Sequence, residues 1–522
     1  MAKDSAVNSK LIVTDEDAKP IAKPQHSKKL TLYFGLAVAA TVGMAVLATV
    51  LAVTWVKSLP CTSGTSGITA PAGCAIPKST FPEDWLKFFH ISDVHIDPEY
   101  LDNISGHTYC RNYSAEAKLA SYLAPYGRPN CDSPKLLIQD AFQTMKKIST
   151  SIWEENWPDF IVFTGDMAAH SLGTPTGDVV LGAITIATDE LRNTFPNTYV
   201  FPCLGNNDIP EDYYIPPHPQ GWYTEVMNKW KEFVICEKCY WRFDQPPVKE
   251  NEFMKTFVTG GYYKAQLTPK LSLLVLNTNY FSAWATVQTE LFLETAKGQL
   301  EWLRQQLQRA EDYDAKVIIS GHIPPGISTY GLSPLWFDNY TKTYLHLTGE
   351  RYPHVIGGQL FGHIHRDDFR FFFAQPDQPL VEESSAILLT PSISPVYNNN
   401  PAFRLVYVDD QTNVFVDYKQ WYLNMALSNE HNETHWFHEY TFSESYPSCF
   451  GQVINNEKIL DITNGVISRR EDYTWLQYIW HRQTEFLPDT ATFSQNLQYC
   501  CMRSITSDIL EKCKKEHPFI PG

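Results

Sequence analysis

Apolar runs that stop abruptly at a potential metal ligand recur along this chain, and they limit the folds open to it. The clearest run, residues 355–360, has the length and apolar character of a buried strand and leads into Gly362-His363-Ile364-His365. The turn after a strand can aim two such imidazoles at one point. An isolated His-x-His is more often a pair of ordinary loop histidines. Four similar strand ends elsewhere in the chain favour a metal site.

Seven side chains at these strand ends form the candidate ligand set: Asp93, His95, Asp166, Asn206, His322, His363 and His365. Carboxylate, amide and imidazole ligands together suit zinc, manganese or iron(II). They are too many for one tetrahedral zinc, but enough for two metal ions that share a bridging carboxylate. Two such ions can activate a water and hold a phosphoryl oxygen, so no nucleophilic serine or cysteine is needed. We expect tight turns at the glycines in front of the ligands, Gly165, Gly205, Gly321 and Gly362.

The composition is that of a globular protein with room for two to four domains in its 522 residues. The formal net charge is -16, and no long basic tract is present in the sequence. This charge argues against binding of duplex nucleic acid, which needs a cationic face for the phosphates. A small anionic substrate is still compatible, because bound metal ions reverse the sign of the local field.

The N-terminal region predicts a membrane anchor. Residues 1–29 are polar and are expected to form a cytosolic tail, and residues 30–56 are an uncharged run long enough to cross a bilayer. Lys28 and Lys29 favour a cytosolic N-terminus. A cleaved signal peptide is the alternative, but the length of the run and of the tail before it favours an uncleaved signal anchor. Residues 57–84 would be an extracytosolic stalk, which makes this a single-pass type II membrane protein of a vacuole- or lysosome-like lumen or of the cell surface.

Cysteines and glycosylation sequons support an extracytosolic location for the rest of the chain. All eleven cysteines follow residue 60, as expected in an oxidising compartment. The sequons predict glycosylation at Asn103, Asn112, Asn339 and Asn432. Local pairing predicts the bridges Cys61–Cys74, Cys110–Cys131 and Cys236–Cys239, with a free buried thiol at Cys203. The four remaining cysteines would form two bridges, with Cys500–Cys513 and Cys449–Cys501 preferred.

The order of elements predicts a layered α/β domain over residues 85–415. Strands near residues 87–92, 160–163, 199–204, 271–276 and 316–319 alternate with helices near 134–155, 177–194 and 298–312. Residues 100–134 are expected to be a loop insertion, and 211–265 to be rich in loops. Strands at 386–390 and 403–408 complete the sheets, and residues 416–522 are predicted to form a small helical, disulfide-bonded C-terminal subdomain.

The ordered strand-end motifs resemble those of calcineurin-like metallophosphoesterases. They are Asp93-x-His95, Gly165-Asp166, Gly205-Asn206, Gly321-His322 and Gly362-His363-x-His365. The resemblance implies two packed mixed β-sheets flanked by helices. Finer matches resemble the acid sphingomyelinase-like phosphodiesterases: Cys131-Asp132-Ser133-Pro134, Thr164-Gly165-Asp166 followed by His170, Leu276-Asn277-Thr278-Asn279, and Asn399-Asn400-Pro401-x-Phe403-Arg404. The single anchor, Gly205-Asn206-Asn207-Asp208 and Ser320-Gly321-His322-Ile323-Pro324-Pro325 are more similar to vacuolar endopolyphosphatases.

The resemblance also implies a division of the ligands between two metal ions, with zinc expected and manganese or iron as alternatives. One ion would be held by Asp93, His95, Asp166 and His365, and the other by Asp166, Asn206, His322 and His363. Asn207 stands where most members have a histidine that steadies the phosphate and protonates the leaving oxygen. An amide can donate a hydrogen bond but cannot supply that proton. His170 is therefore the candidate general acid, and an ordinary exposed loop histidine is the alternative.

We therefore expect a two-metal hydrolase that cleaves phosphodiester bonds in an extracytosolic, acidic compartment. Acid sphingomyelinase itself carries a cysteine-rich saposin-like module ahead of its catalytic domain. Here only Cys61 and Cys74 precede residue 85. The substrate is therefore expected to be a phosphorylated small molecule, a lipid head group or polyphosphate. An endopolyphosphatase cleaving phosphoanhydride bonds in a vacuole-like organelle is the alternative. An inactive membrane-anchored binding ectodomain is less consistent, because such a descendant should have lost ligands.

Overall fold

Two six-stranded mixed β-sheets organise the part of the chain that the computed structural model describes. The described residues are 82, 85–112, 117–153, 157–172, 177–372, 384–446, 453–468, 473–486 and 494–518. The first sheet has the order β12-β11-β10-β1-β2-β3 and the second β4-β5-β6-β7-β9-β8. The strands are β1 Leu86–Ile91, β2 Ile161–Phe163, β3 Val200–Pro202, β4 Tyr263–Thr268, β5 Leu271–Val275, β6 Lys316–Ser320, β7 Ile356–Phe361, β8 Asp368–Arg370, β9 Ile387–Leu389, β10 Ala402–Val408, β11 Phe415–Leu423 and β12 Trp436–Thr441.

Helices connect the parallel strands and cover the sheets. They are α1 Lys135–Ile152, α2 Asp178–Thr194, α3 Gln220–Val234, α4 Glu250–Gly260, α5 Glu290–Asp312, α6 Asp338–Leu345, α7 Met425–His431, α8 Phe442–Ser445, α9 Asn456–Ser468, α10 Tyr473–Arg482, α11 Gln495–Arg503 and α12 Ser507–Glu516. The layered arrangement of two mixed sheets with helices confirms the predicted fold class.

Parallel pairing brings the ligand-bearing strand ends together. Strands β1, β2 and β3 pair in parallel in the first sheet, as do β5, β6, β7 and β9 in the second. Parallel neighbours need a crossover, and α1 and α2 supply it between β1, β2 and β3. The apolar residues of α1 recur at helical spacing and are buried. The carboxyl ends of these strands consequently meet at one edge of each sheet, as open α/β sheets require for a ligand site.

The expectation that residues 211–265 are rich in loops is wrong. This segment contains α3, α4 and the start of β4. Buried apolar residues of α3 recur every three or four positions, at Tyr223, Val226, Met227, Trp230 and Phe233. That periodicity is the ordinary signal of an amphipathic helix, so the information was present in the sequence.

The first sheet extends further along the chain than predicted, past the expected domain boundary at residue 415. Strands β11 and β12 lie beyond residue 408 and pair antiparallel with β10 and with each other. Asp409 accepts hydrogen bonds from the backbone of Gln411 and Thr412 and so closes the hairpin between β10 and β11. Helices predominate only from α9 onward among the described residues.

Three predicted disulfides are confirmed and one is contradicted. Cys110–Cys131, Cys236–Cys239 and Cys500–Cys513 are bonded, and Cys203 is a buried free thiol as predicted. The expected Cys449–Cys501 bridge is wrong, because Cys501 is a buried free thiol. Successive helical residues point about 100° apart. Cys500 therefore faces Cys513, while Cys501 lies near the charges of Arg370 and Asp368. Cys61, Cys74 and Cys449 lie outside the described residues.

The predicted tail, membrane anchor and most of the stalk also lie outside the described residues. Within the described part of the chain, no helix is both long and apolar enough to span a bilayer. The signal anchor at residues 30–56 therefore stays a prediction. Each of the four sequon asparagines is exposed, which is compatible with glycosylation.

Candidate metal centre

The seven predicted ligands come together where the two sheets end. Asp93 and His95 follow β1, Asp166 follows β2, Asn206 follows β3, His322 follows β6, and His363 and His365 follow β7. Backbone hydrogen bonds join the loops after β1 and β2, since Asp93 N donates to Gly165 O at 2.9 Å and His95 N to Asp166 O at 3.0 Å. The sheet pairing thus continues past the strand ends and fixes these ligands relative to each other.

Four ligands form a first group around Asp93 and His95. The Nε2 atoms of His95 and His365 are 3.1 Å apart. His365 Nε2 lies 3.2 Å from Asp93 Oδ1, and His95 Nε2 lies 3.4 Å from Asp166 Oδ2. All four side chains are buried. This is the group that the family resemblance assigns to one metal ion.

The second group shares Asp166 with the first. Asp166 Oδ2 lies 3.1 Å from His322 Nε2, which is 3.0 Å from Asn206 Oδ1. Ligand atoms of Asp166, His322 and His363 all lie within 4.8 Å of one another. Asn206 Nδ2 donates to Asp212 Oδ1 at 2.9 Å, which turns the amide oxygen toward His322. Asp166 therefore lies between the two groups, and its role as a bridging ligand stays a prediction.

Backbone carbonyls fix which ring nitrogens can bind a metal. His95 Nδ1 lies 2.9 Å from Ala168 O, and His322 Nδ1 lies 2.7 Å from Thr164 O. A carbonyl oxygen only accepts, so each Nδ1 donates a proton and each Nε2 is left with its lone pair directed into the cluster. This is the arrangement by which proteins orient histidine ligands.

The donor set fits two divalent cations. Within the described chain, Asp93 Oδ1 is buried and has no hydrogen-bond partner, although imidazole nitrogens surround it. A buried carboxylate oxygen without a partner is rare, because its desolvation is uncompensated. Carboxylate oxygens and imidazole nitrogens that converge in this way need cations between them. The calcineurin-like arrangement and these clusters suit two metal ions.

The electrostatics of the centre also favour bound positive charge. Burial lowers the pKa of His95, but the Asp166 and Asp93 carboxylates outweigh burial and raise it to about 10. The same balance raises the pKa of His322 to about 9. For His363, burial and the charge of His322 lower the pKa to about 3. The carboxylates thus draw protons onto two imidazoles, and a divalent cation can take the place of those protons.

Left-handed backbone at the ligands is a feature that the sequence did not reveal. Asp93, His95, Asp166, His363 and His365 have φ angles between 42° and 71°. Residues other than glycine seldom adopt such angles, and when they do they cluster at functional sites. The expectation of glycine-permitted turns holds for Gly165, whose φ is 88°. Gly205 has an ordinary φ angle. It is needed because the Asp166 side chain packs against its backbone, and a Cβ there would lie 2.0 Å from Asp166 Oδ1.

Asp208 supports the centre and was missed as a functional residue. Its Oδ2 accepts from the backbone N–H groups of Asp166 and Gly205, and its Oδ1 from those of Met167 and Ala168. One buried carboxylate thereby holds the turns after both β2 and β3. The signal available in the sequence was its place in Gly205-Asn206-Asn207-Asp208, but its partners come from a distant loop.

Asn207 contacts a ligand directly. Its backbone N–H donates to Asp166 Oδ1 at 2.8 Å, and its Nδ2 donates to Asp166 Oδ2 at 2.9 Å. Both donors therefore orient the Asp166 carboxylate. A cavity of about 320 Å³ lies beside Asn207, and acidic Glu211 and Asp212 contribute to its lining.

His170 lies at the edge of the first ligand group and is held by Asp132. Its ring stacks on His95 with centroids 4.1 Å apart. Nδ1 lies 3.0 Å from Asp132 Oδ1, and the backbone N–H of His170 donates to Asp132 Oδ2 at 2.8 Å. Burial raises the pKa of Asp132, but His170 outweighs burial and holds that pKa well below its usual range. The opposite nitrogen, Nε2, lies 3.3 Å from the Tyr397 hydroxyl. The side chain is 16% exposed, so solvent reaches it.

Comparison with known proteins gives consistent matches. The family model described as calcineurin-like phosphoesterase matches residues 86–367. The chain is 28% identical over 442 residues to the human protein named acid sphingomyelinase-like phosphodiesterase 3b, covering 82% of this chain and 90% of that one. It is 29% identical over 395 residues to human cyclic GMP-AMP phosphodiesterase SMPDL3A, covering 74% and 80%. A Dictyostelium discoideum protein named sphingomyelinase phosphodiesterase C is 28% identical over 375 residues, covering 69% and 78%.

Proposed function

This chain belongs to the calcineurin-like phosphoesterase family and is a metal-dependent phosphoester hydrolase, and we propose that it cleaves phosphodiesters using two zinc ions. The observation that carries the proposal is that two ligand clusters, one with His322 and His363 and one with Asp93 and His95, share Asp166, next to a buried carboxylate oxygen of Asp93 that lacks a hydrogen bond within the described chain. A descendant that had become a binding ectodomain would not need to keep this set.

The division of labour among the residues follows from the contacts. Bound divalent ions would supply Lewis acidity and an activated water in this site. Asp93, His95, Asp166 and His365 would hold one ion, and Asp166, Asn206, His322 and His363 the other. Asn207 and Asp208 hold Asp166 in position through hydrogen bonds. The protein residues thus fix the ligands in advance, which reduces reorganisation during the reaction.

We favour a phosphodiester over polyphosphate because of the charge beside the site. Glu211 and Asp212 line the cavity next to Asn207. Burial raises the pKa of Asp212 to about 6, so above that pH its carboxylate opposes a long polyanion more than a diester with a single negative charge. The names of the similar proteins, which include sphingomyelin and cyclic dinucleotide phosphodiesterases, support the same choice. An extracytosolic location is supported by the three disulfides among the described residues and by four exposed sequon asparagines.

The direct test uses purified full-length protein with four substrates: a bis-aryl phosphate, sphingomyelin, a nucleoside triphosphate and long-chain polyphosphate. We expect hydrolysis of diesters that is lost with a chelator and restored by zinc. Asp166→Ala should be inactive under all conditions. Release of short chains from polyphosphate with no hydrolysis of diesters would contradict the proposal in favour of an endopolyphosphatase.

We further propose that His170 is the general acid for the leaving oxygen. Asp132 accepts a hydrogen bond from Nδ1, so this dyad orients the ring and leaves Nε2 at the accessible edge of the centre. General acids of this kind contribute about 10²- to 10⁴-fold to the rate. His170→Ala should therefore lose about 100-fold or more on a diester with an alkyl leaving group, and much less on a nitrophenyl diester, whose leaving group needs no proton.

Asp132→Asn and Tyr397→Phe separate positioning from proton transfer. Asp132→Asn should, like His170→Ala, lose more rate on an alkyl diester than on a nitrophenyl diester, because the hydrogen bond that orients His170 is lost. Tyr397→Phe removes a hydroxyl beside Nε2 but keeps the ring, and serves as the matched control. Equal losses of His170→Ala on alkyl and nitrophenyl diesters would show that His170 does not protonate the leaving oxygen.

A further inference from the structure

A second cluster of metal-ligating side chains lies where β12 meets the end of α10. It consists of Glu439 on β12, His481 on the last turn of α10 and Glu485 just after that helix. One ligand atom from each lies within 4.8 Å of the others. None of these residues belongs to the centre described above. We refer to the three residues as the seam cluster, because they join the first sheet to the C-terminal helices.

Within the seam cluster, one ring nitrogen of His481 faces a carboxylate of Glu439. Glu439 Oε1 lies 3.3 Å from His481 Nδ1, and Glu439 Oε2 accepts from Gln420 Nε2 at 2.8 Å. His481 as a whole is 6% exposed. Ligands that bind one zinc ion at about 2.0–2.2 Å lie at a similar separation from each other, so Nδ1 and Glu439 can share a cation once Nδ1 gives up its proton.

Burial controls the protonation of the three side chains in the cluster. Burial, reinforced by the Asp367 carboxylate, raises the pKa of Glu439, and burial also raises the pKa of Glu485. Burial lowers the pKa of His481 to about 4, so its imidazole is neutral at neutral pH. The Arg404 guanidinium acts on Glu439 through space, but its hydrogen bonds go to Asp367 and Gln420. Burial thus favours the uncharged form of all three side chains, and a bound cation would favour the ionised glutamates instead.

The backbone holds the third member in place. Thr484 and Glu485 have φ angles of 51° and 60°. Thr484 donates its hydroxyl to Asn400 O at 2.5 Å, and its own carbonyl accepts from Asn400 Nδ2 at 2.9 Å. These two hydrogen bonds hold the turn that carries Glu485 against Asn400.

We propose that Glu439, His481 and Glu485 bind a third divalent cation. Two carboxylates and one imidazole suit zinc or manganese, and His₂Glu-type zinc sites use the same kinds of donor. A cation there would join β12 to α10 and stabilise the C-terminal helices against the first sheet. Its role would be structural, since within the described residues the nearest link to the catalytic ligands is indirect: Gln420 Nε2 donates both to Glu439 and to Asp367, which lies two positions after His365.

Metal counting by mass spectrometry on purified full-length protein tests the site. After dialysis against trace zinc, wild type should contain one more ion per chain than His481→Gln. His438→Gln is the matched control, because His438 lies next to Glu439 on β12 but outside the cluster, and it should keep the wild-type content. His481→Gln should retain activity within about twofold when the catalytic centre is loaded.

Counting metal ions in a variant that lacks the catalytic ions makes the test more specific. Asp166→Ala should retain one tightly bound ion, and the double variant with Glu485→Gln should lose it. Glu485 is only half-buried, so its variant is the one expected to fold if His481→Gln does not. Equal metal content in wild type and in both cluster variants would overturn the proposal. So would an Asp166→Ala protein without bound metal. Neither result depends on whether the enzyme hydrolyses diesters.

Discussion

Replacing Asp208 by asparagine tests whether one buried carboxylate holds the catalytic loops. The Oδ2 atom accepts from the backbone N–H groups of Asp166 at 2.8 Å and Gly205 at 2.9 Å. The Oδ1 atom accepts from Met167 at 2.8 Å and Ala168 at 3.1 Å. An amide keeps a single acceptor oxygen and turns an NH₂ group toward the other pair of donors. Two buried N–H groups therefore lose their acceptor.

Each buried donor left without a partner costs about 1–3 kcal/mol, so Asp208→Asn should lower the free energy of unfolding by about 2–6 kcal/mol. Urea denaturation in the presence of chelator measures this loss without a contribution from metal affinity. A pH of 7.5 is suitable, because burial and the neighbouring Asp166 raise the pKa of Asp208 to about 6 and the side chain is ionised above that value.

Asp189→Asn is the control, since Asp189 lies on the exposed face of α2 with 56% of its side chain accessible. Surface changes of this kind stay within about 0.5 kcal/mol. The reasoning would be refuted if Asp208→Asn unfolded within about 1 kcal/mol of the control. A stable Asp208→Asn protein with full activity would further show that the loops after β2 and β3 hold their positions by other means.

Three further predictions concern metal, pH and thiols. Chelation should lower the melting temperature as well as abolish activity, since each ion at 100 times its Kd adds about 2.7 kcal/mol; an unchanged melting temperature would count against buried ligation. Burial, aided by Arg404, holds the pKa of His90 well below 6.5. The contribution of His90 to the free energy of unfolding is therefore complete above pH 6.5 and is lost progressively below it. In urea denaturation at acidic pH, His90→Asn should reduce the slope of this loss by up to about 1.4 kcal/mol per pH unit. Alkylation of the denatured, unreduced protein should label Cys203 and Cys501, whereas an unlabelled Cys501 would restore the disulfide interpretation.

The ligand set was predictable because each ligand follows an apolar run. A buried parallel strand is recognisable in the sequence as a run of apolar residues. The first polar residue after the run lies at the carboxyl edge of the sheet, where ligand sites form. Asp93, Asp166 and His322 were all found in this way. The order of the motifs along the chain then identified the family. The number of residues between two motifs can vary, but the order in which the strands present them cannot.

The supporting residues were not predictable because their partners are distant in sequence. Asp208 holds a loop about forty positions away, and His170 is held by Asp132 at a similar separation. Periodicity carries no information on such pairs. The left-handed turns at Asp93 and His365 are likewise set by tertiary contacts, since Asp and His adopt that conformation more often than most residues but still uncommonly.

Other errors came from weighting the signals wrongly. Helix α3 carries an ordinary amphipathic pattern, which contradicts the expectation of loops over residues 211–265. Strands β11 and β12 were missed because the change to aromatic-rich sequence was interpreted as a change of domain. Cys501 was paired by elimination, and elimination fails when a helix points neighbouring cysteines in different directions.

The concentration of buried carboxylates links the fold of this edge to its chemistry. Asp93, Asp166 and Asp208 are buried in the loops that follow β1, β2 and β3, and Asp132 is buried just before α1. The four carboxylates have different partners: an imidazole for Asp132, backbone N–H groups for Asp208, imidazoles and Asn207 for Asp166, and imidazoles for Asp93, whose Oδ1 has no hydrogen bond within the described chain. Hydrogen bonds alone satisfy the first two, so those residues can act as fixed supports. Asp93 and Asp166 are left with negative charge that only cations can balance fully. The residues that the protein cannot satisfy by itself are thus the ones that it presents to metal.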